Sequence, residues 1–417
     1  MENPSDLNHF RVGGSVRDSV LGREPNDIDI VVVGHSVEDM KNAGFEQVVG
    51  EAFPIFLHPE TKDEWALARL ERSTGGGHTD FNIQAAPDVT LEEDLERRDL
   101  TINAMAKDPN TGDIIDPFGG LDDIENQTLR HVSEAFAEDP LRVLRVATFA
   151  ARLPEFTVHP DTKELCKSLE GDLTELSPQR VHREMLKAFR KAHEPRRFFD
   201  VLHEIGVLET LFPELHALTE VPAGPEFAHK EGSSFEHTMM VLEEAHNIRP
   251  NDERLLLAAL AHDLGKGVTD EDDLPNHPGH TKTGLNVVDE MTERLKMTNE
   301  HQKVMRDAVR HHMKMHSFDE MNESTIIRFV DAQETAGDKM EMGELIDLAV
   351  ADSLGRVPST EPDTDLIREK VDLARNAIDK VNGNFVMDKF DVDQSEGLKI
   401  RDLIIQERTL KFRELQS

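Results

Sequence analysis

Cysteine occurs once in the 417 residues, at Cys166. A single thiol excludes an internal disulfide and any cysteine-built zinc cluster, so a metal site here has to draw on histidine, aspartate and glutamate. The 20 histidines supply ample imidazole for one. Long apolar runs are missing too. None approaches the roughly 20 residues of a membrane span, and the opening "MENPSDLNHF" lacks the basic-then-apolar order of a secretory signal. These absences predict a cytoplasmic protein with no membrane partner. Positive charge is also scarce: 47 Lys and Arg against 83 Asp and Glu leave a formal charge of −36. That balance by itself argues against a polyanionic partner, but phosphate binding depends on where the cations cluster. "QRVHREMLKAFRKAHEPRR", Gln179 to Arg197, gathers seven Lys or Arg around two Glu and is the leading candidate for a phosphate-facing helix. A solvated basic helix face is the competing reading. The acidity elsewhere fits a salt-rich cytoplasm, where screening makes charge repulsion cheap.

Hydrophobic content of 37% and charged content of 31% suit a soluble globular chain, and at roughly 100–200 residues per domain its length predicts two to four domains. Up to about Lys107, β-like runs ("DIDIVVVG", "FPIFLHP", "EWALARL") alternate with polar turns and one early helix-like stretch, "SVRDSVLG". "RSTGGGHTDF", with three consecutive glycines, reads as a mobile loop. From about Ala135 apolar residues recur three and four apart, and "SPQRVHREM" offers a serine N-cap with proline in the first turn. "VPAGPEFAHKEG" reads as a linker between two helical regions. The expected fold class is α+β, an N-terminal α/β head followed by all-α domains. The expected boundaries are 1–134, 135–224, 225–360 and a helical tail at 361–417.

"NDIDIVVVG" sets Asp27 and Asp29 one residue apart in a strand-like run. Residues two apart share a strand face, so the two carboxylates project together while Ile28 and Ile30 face the core. Adjacent carboxylates repel unless cations lie between them, and Mg²⁺ favours such oxygen ligands together with substrate phosphates. Two such ions activate a hydroxyl nucleophile and stabilise the leaving diphosphate of a nucleoside triphosphate. For a bare D-x-D, a strand with a solvent-facing polar side is the simpler reading. The preceding "GGSVRD" makes the metal reading specific: Gly13 and Gly14 let phosphate approach bare backbone at a helix start, and Arg17 adds a charged donor.

With those residues in view, the chain resembles class II CCA-adding tRNA nucleotidyltransferases of the polymerase β superfamily, closest to the bacterial type with a C-terminal HD phosphohydrolase domain. The resemblance rests on "GGSVRDSVLG", "DIDIVVVG", "LERRDLTINAMA", "IIDPFGGLDDI" and "EDPLRVLRVATFAAR", and runs from about Phe10 to Arg356. It implies a nucleotidyltransferase head at 1–134, a nucleotide-selecting and tRNA-binding region at 135–224 and an HD domain at 225–360. It further implies that Asp27 and Asp29 bind Mg²⁺, that Gly14, Arg17 and Arg98 contact the nucleotide, and that CTP, ATP and tRNA are the substrates. Glu71 in "ARLER" is a candidate third carboxylate, with an exposed strand-end glutamate as the alternative.

Asp139 and Arg142 stand three apart, a spacing that shares a helix face, and Arg145 continues the stripe. A carboxylate accepts and a guanidinium donates. Cytosine and adenine both offer an amino donor beside a ring-nitrogen acceptor, whereas uracil and guanine offer the reverse. Mismatched buried groups cost roughly 1–3 kcal/mol each, so one such pair admits CTP and ATP without a template. The resemblance implies this role for Asp139, Arg142 and Arg145. The chain departs from its relatives at Thr148, where they carry another arginine, so a triphosphate contact is either lost there or supplied by another basic residue.

"LLLAALAHDLGKG" ends an apolar helical run on His262 and Asp263, and His237 and Asp352 complete an H…HD…D order that resembles the HD superfamily. His280 and His312 are candidates for a second metal, while His311 and His316 read as packing or surface residues. Imidazole with carboxylate suits Zn²⁺, Ni²⁺, Co²⁺ or Mn²⁺. The resemblance implies phosphatase, 2′-nucleotidase and 2′,3′-cyclic phosphodiesterase activities. A poly(A) polymerase, a partial CC- or A-adding enzyme, and a tRNA-binding phosphohydrolase with an inactive head are the rival readings. The tail, with "DLIREKVDLARNAI", either packs on the HD domain or mediates dimerisation, leaving monomer and homodimer both open.

Overall fold

β-Branched and aromatic runs in the first 115 residues pair into a seven-stranded sheet and a separate two-stranded one, and the described residues beyond are almost wholly helical. A computed structural model of the chain describes residues 4, 7–25, 28–49, 54–73, 81–85, 87–335, 339–359 and 362–416. They fall into two compact units, Met1–Ala188 with Arg197–Leu211, and Phe189–Arg196 with Phe212–Ser417. Among the described residues no helix is long and apolar enough to cross a membrane.

In the first unit, β1 (His9–Val12), β2 (Asp29–Val32), β3 (Glu46–Val49), β4 (Ile55–Leu57), β5 (Glu64–Leu67), β8 (Ala106–Lys107) and β9 (Ile114–Ile115) form a seven-stranded sheet, ordered β3-β4-β5-β2-β1-β8-β9. β6 (Arg69–Ser73) and β7 (Phe81–Ala85) make a separate antiparallel hairpin. The run read as one strand, "EWALARL", therefore divides at Ala68 between β5 and β6. β2 runs parallel to β5 and antiparallel to β1, with Asp29 opposite Val12. Both faces of the sheet are covered. Val32, Phe56, Trp65 and Leu67 pack with Met40 of α2 (Val37–Asn42) on one side, and Val12, Val31 and Ala106 pack with Leu95 of α3 (Leu91–Glu96) on the other. Each fully buried side chain of that size contributes about 1.5–3 kcal/mol. Val31, two residues on and on the same strand face as Asp29, is thus core, so only the β2 start is open to charge. Ile28, expected in the core, is instead 38% exposed because it precedes the paired part of β2. Reciprocal capping boxes, Ser36 with Asp39 and Thr90 with Glu93, start α2 and α3.

α1 (Gly14–Val20) follows β1, α4 (Gly120–Glu125) follows β9, and α5 (Leu141–Arg152) opens the helical part of this unit. A two-residue strand pair, β10 (Thr128–Leu129) with β11 (Thr157–Val158), brackets α5 in the chain. Ser177 Oγ accepts from Arg180 N at 3.4 Å at the start of the Pro178–Lys191 helix, as the serine-proline pattern predicts.

In the second unit, Leu255–Ala261 are buried on every side, as expected of a helix at the centre of a bundle. Helices Ser234–Ile248, Asn299–His316 and Met342–Leu354 surround it. The turn Leu264–Val268 crosses helix His280–Arg294 at Gly265, where a Cβ would lie 2.0 Å from the His280 carbonyl oxygen and 2.7 Å from Gly284 N. Only glycine permits that approach, and it draws His280 towards Asp263. The segment read as a linker is anchored at both ends: Ala223 N donates to Gly232 O at 2.9 Å, and Lys266 Nζ donates to Ala223 O at 2.6 Å. The tail packs on this unit, with Ile367, Val371, Ala374 and Ala377 of helix Thr364–Lys380 buried.

Candidate functional sites

In the head, Gly13 adopts φ +69°, and a Cβ built on it would stand 2.7 Å from Arg98 Nη1 and 3.8 Å from Asp29 Oδ2. The close approach thus falls on Gly13; at Gly14 a Cβ would make ordinary contact with Arg17, at 3.5 Å. Asp29 is exposed at the head of β2. Asp27 and the 74–80 part of the glycine-rich loop lie outside the described residues, as does the Glu71 side chain. Beside Asp29 opens a cavity of about 220 Å³ whose polar lining includes Glu64, Arg69, Asp94, Arg97 and Arg98. Asp94, almost fully buried, accepts from Arg97 Nη2 at 2.8 Å and Arg98 Nη2 at 3.2 Å. Burial opposes its charge, yet the two guanidiniums hold its carboxyl below the usual range.

Arg17 is buried, with Nη1 on Asn103 Oδ1 at 2.5 Å and Nε on Asp18 Oδ1 at 2.9 Å. Asn103 Nδ2 in turn donates to Asp99 Oδ1 at 2.9 Å, and Arg145 Nε donates to Asp99 Oδ2 at 2.7 Å. Burial works against the Asp99 charge, but Arg145 and these hydrogen bonds lower it to about 2. This chain of hydrogen bonds runs from α1 to α5.

Asp139 and Arg142 do not lie on one helix. Asp139 precedes α5 in extended backbone, its Oδ1 accepting from Leu141 N at 3.1 Å, and its carboxylate takes Arg180 Nη2 at 2.8 and 3.0 Å. Arg142, inside the helix and buried, donates to Ala135 O at 2.5 Å and Arg97 O at 2.6 Å. Helical spacing misled because α5 begins only after Asp139. The basic stretch is also less free than its composition suggests. Arg180, Lys187, Arg190, Arg196 and Arg197 each hold a carboxylate, while Arg183 and Lys191 are exposed.

In the second unit four imidazoles converge on Asp263. His237, His262, His280 and His312 each direct Nδ1 at a backbone carbonyl, 2.7–3.1 Å away, on Gly355, Ala259, His277 and Ala308. That partner makes Nδ1 the donor and turns Nε2 inward, where its lone pair is available to a metal once Nε2 is free of a proton. Asp263 Oδ2 meets His262 Nε2 at 3.3 Å and His237 Nε2 at 3.6 Å; Oδ1 meets His312 Nε2 at 3.4 Å and His280 Nε2 at 3.5 Å. Asp352 Oδ1 lies 3.3 Å from His237 Nε2. Nε2 atoms also face each other at 3.4 Å (His262, His237) and 3.2 Å (His280, His312). Facing lone pairs around shared carboxylates are what divalent cations satisfy, so the donor set fits metal at two adjoining positions bridged by Asp263. Burial opposes the charges of Asp263 and Asp352, but Lys266 and His262 around the first, and His316, His237 and Arg356 around the second, hold both well below the carboxylate range. His237 is disfavoured as a cation by burial, yet hydrogen bonds to Asp352 and Glu231 push it up to about 9, so metal uptake there releases a proton.

Four further residues belong to this site. Glu231 Oε1 reaches His229 Nδ1 at 2.6 Å and His237 Nδ1 at 3.4 Å from within the supposed linker. His316, read as packing or surface, places Nε2 2.6 Å from Asp352 Oδ2, and Arg356 holds Asp352 Oδ1 at 2.8 Å. His316 lies four residues after His312, one helical turn on the same face, and that spacing could have revealed it.

Comparison with known proteins bears on both units. Residues 9–130 match the family described as "Poly A polymerase head domain", 155–219 "Probable RNA and SrmB- binding site of polymerase A", and 234–356 "HD domain". The fold is similar to that of a CCA-adding enzyme in its apo form II (19% identity, 98% of this chain and 91% of that one, TM-score 0.65). It is also similar to the Thermotoga maritima CCA-adding enzyme complexed with tRNA (19%, 98% and 88%, 0.63). A third likeness is to the Bacillus stearothermophilus CCA-adding enzyme in complex with CTP (21%, 98% and 90%, 0.59). The first unit therefore carries a nucleotidyltransferase head of the polymerase A type, and the second an HD domain. With the segment described as a probable RNA-binding site between them, this order of matches is consistent with the class II CCA-adding family with an HD domain that the motifs resemble.

Proposed function

We propose that the chain builds and repairs the 3′-terminal CCA of tRNA from CTP and ATP, releasing diphosphate, and that 1–134, 135–224, 225–360 and 361–417 serve as head, selection and tRNA-binding region, HD domain and tail. The observation that carries this reading is the arginine-walled cavity opening beside Asp29. Asp27 and Asp29 would hold Mg²⁺, which supplies neutralisation of the triphosphate and activation of the tRNA hydroxyl when bound. Arg98, with Gly14 and Arg17 behind it and Arg145 across the Asp99 chain, orients the phosphates. Asp139 accepts the amino hydrogen common to cytosine and adenine once it leaves Arg180, and Arg142 supplies the donor of the family pattern. The test is extension of a tRNA lacking CCA, followed by sequencing of its 3′ ends. CCA ends are expected; runs of A, ends stopping at C or CC, or no addition with CTP still bound would each overturn the reading. Cytoplasmic location follows from that substrate.

The HD site supports a second activity, metal-dependent hydrolysis of phosphate esters, with 2′-nucleotides, 2′,3′-cyclic phosphates and simple monoesters as candidate substrates. His237, His262, Asp263 and Asp352 would hold one ion, and Asp263, His280 and His312 a second, of the Ni²⁺, Co²⁺, Mn²⁺ or Zn²⁺ class. Such an ion supplies a nucleophile at neutral pH when bound. Each of those esters is assayed with each metal. Hydrolysis that disappears in His262→Ala while nucleotide addition persists is the expected result, and equal hydrolysis by the variant would sink the assignment.

A further inference from the structure

Phe149 of α5 is buried under three guanidiniums: Arg17, Arg145 and Arg152 lie 5.1, 5.6 and 5.5 Å from its ring centroid. Lys187 and Arg23 stand in the same neighbourhood and add to its field. Nearly every cation in this group has its own carboxylate. Arg17 holds Asp18, Arg145 holds Asp99, Lys187 holds Glu184, and Arg23 holds Glu155. Arg152 is the exception. Among the described residues it makes no ion pair and no hydrogen bond, although it is half-buried. Burial and then the Arg17 charge lower its affinity for its own proton, and burial with Arg145 does the same to Lys187. The Asp18 carboxylate, itself held by Arg17, acts on Arg152 in the opposite sense but makes no ion pair with it, so in a chain of net charge −36 a guanidinium without a carboxylate of its own marks a local excess of positive potential. Thr148, one turn earlier, does not account for it: it is buried, its hydroxyl has no hydrogen-bond partner, and it carries no charge.

We propose that Arg152 is a phosphate-binding residue, closing an anion subsite with Arg145 over the Phe149 ring. The ligand class is a phosphate polyanion, drawn from one of two sources: the triphosphate of the incoming nucleotide, or the backbone of the RNA acceptor. A guanidinium binds such oxygens through paired N–H donors, and the ring beneath holds its plane by cation–π contact. Its placement within the head rests on the proposed nucleotidyl transfer; the charge imbalance does not.

The experiment uses the full chain and inorganic tripolyphosphate as probe, with calorimetric titration at several salt concentrations. Arg152→Met is expected to weaken binding by about tenfold or more and to flatten the dependence of log K on log salt by about one charge, with Arg152→Lys falling between. A second arm measures affinity for tRNA lacking CCA. Loss confined to tripolyphosphate assigns the triphosphate, and loss confined to tRNA assigns the RNA backbone. Unchanged affinity for both probes in Arg152→Met, with a wild-type melting temperature, overturns the proposal. Should Arg152→Met not fold, Arg152→Lys and Arg152→Gln carry the same comparison. A wild-type protein that binds tripolyphosphate through Arg152 yet never extends tRNA would refute the proposed activity and leave this inference standing.

Discussion

Asp94 anchors one wall of the head cavity with a single buried carboxylate, which also accepts from the Arg69 backbone N–H at 3.3 Å. Replacing it by asparagine leaves Arg97 and Arg98 without their anion at a site where water is scarce. Removing one partner of a buried pair is the costly direction. Because both arginines keep some solvent contact, Asp94→Asn is expected to lose on the order of 2 kcal/mol in a urea titration and to raise KM for CTP. A wild-type midpoint and KM would show that Arg98 is held by other means. Glu243, on helix Ser234–Ile248, presents the opposite case. Burial, with Glu194 adding repulsion, raises its carboxyl to about 7, and Oε2 has no hydrogen-bond partner. A folded value above the ordinary 4.5 means the stability it contributes is full below that value and is lost as pH rises through 7. Glu243→Gln is therefore expected to be more stable than wild type near pH 8, by on the order of 1 kcal/mol after solvent screening, with no gain near pH 4. A thermal melt at both values checks the sign; an equal shift at both would refer the effect to packing. These residues also show what a sequence makes legible. Asp29, Gly13, His262 and Asp263 stood out because their chemistry sits within a few adjacent positions. Arg180 beside Asp139 and Arg356 beside Asp352 did not, because a guanidinium on a long stem reaches a partner that spacing alone does not name.

Elements were legible where periodicity met a cap, as in the Pro178–Lys191 helix, and misread where a functional residue sits just outside one. Asp139 lies in extended backbone before α5, so a three-residue spacing that implies a shared face on a helix implied nothing there. Glu231 lies in a proline-rich segment that composition marks as a connector, yet its backbone is pinned and its carboxylate reaches His237. The tail shows the same contrast in reverse. Its amphipathic pattern left packing and dimerisation equally open, and the structure supplies the partner: helices Thr364–Lys380 and Gly397–Gln416 both pack on Glu323–Glu334. Arg408 ties them further, Nη1 to Asp331 Oδ2 at 2.8 Å and Nε to Val381 O at 2.9 Å. A chain ending at Arg356 strips both tail helices from Glu323–Glu334, the helix that carries buried Ile326, Ile327 and Val330. It is expected to lower the melting temperature of the HD-containing unit by several degrees, as each kcal/mol lost shifts a domain of this size by roughly 2–4 °C. Size-exclusion elution would decide the alternative: dissociation of a dimer on truncation, without a change in melting, would make the tail an assembly element.

At the scale of the whole molecule, the excess of 83 acidic over 47 basic side chains sets a condition on folding that no single contact sets. Several buried carboxylates are individually matched: Asp94 by Arg97 and Arg98, Asp99 by Arg145, Asp263 by Lys266, Asp352 by Arg356. The unmatched charge is therefore carried by the surface, where repulsion is long-ranged in dilute salt. The screening length is about 10 Å at ~0.1 M salt and about 3 Å at ~1 M, so raising KCl across that range removes most of the repulsion between exposed carboxylates while leaving the buried pairs intact. Stability is expected to increase with KCl over this interval, read as a rising urea midpoint. The proposed phosphate sites are expected to respond in the other direction. Binding of a polyanion to Arg98, Arg145 and Arg152 weakens with salt because it competes with anions and loses its attraction. Activity against KCl should then rise while folding limits it and fall once nucleotide binding does, with KM for CTP increasing throughout. A urea midpoint independent of KCl would show that the acidic surface is already neutralised within the fold, and would remove the case for a salt-rich working environment.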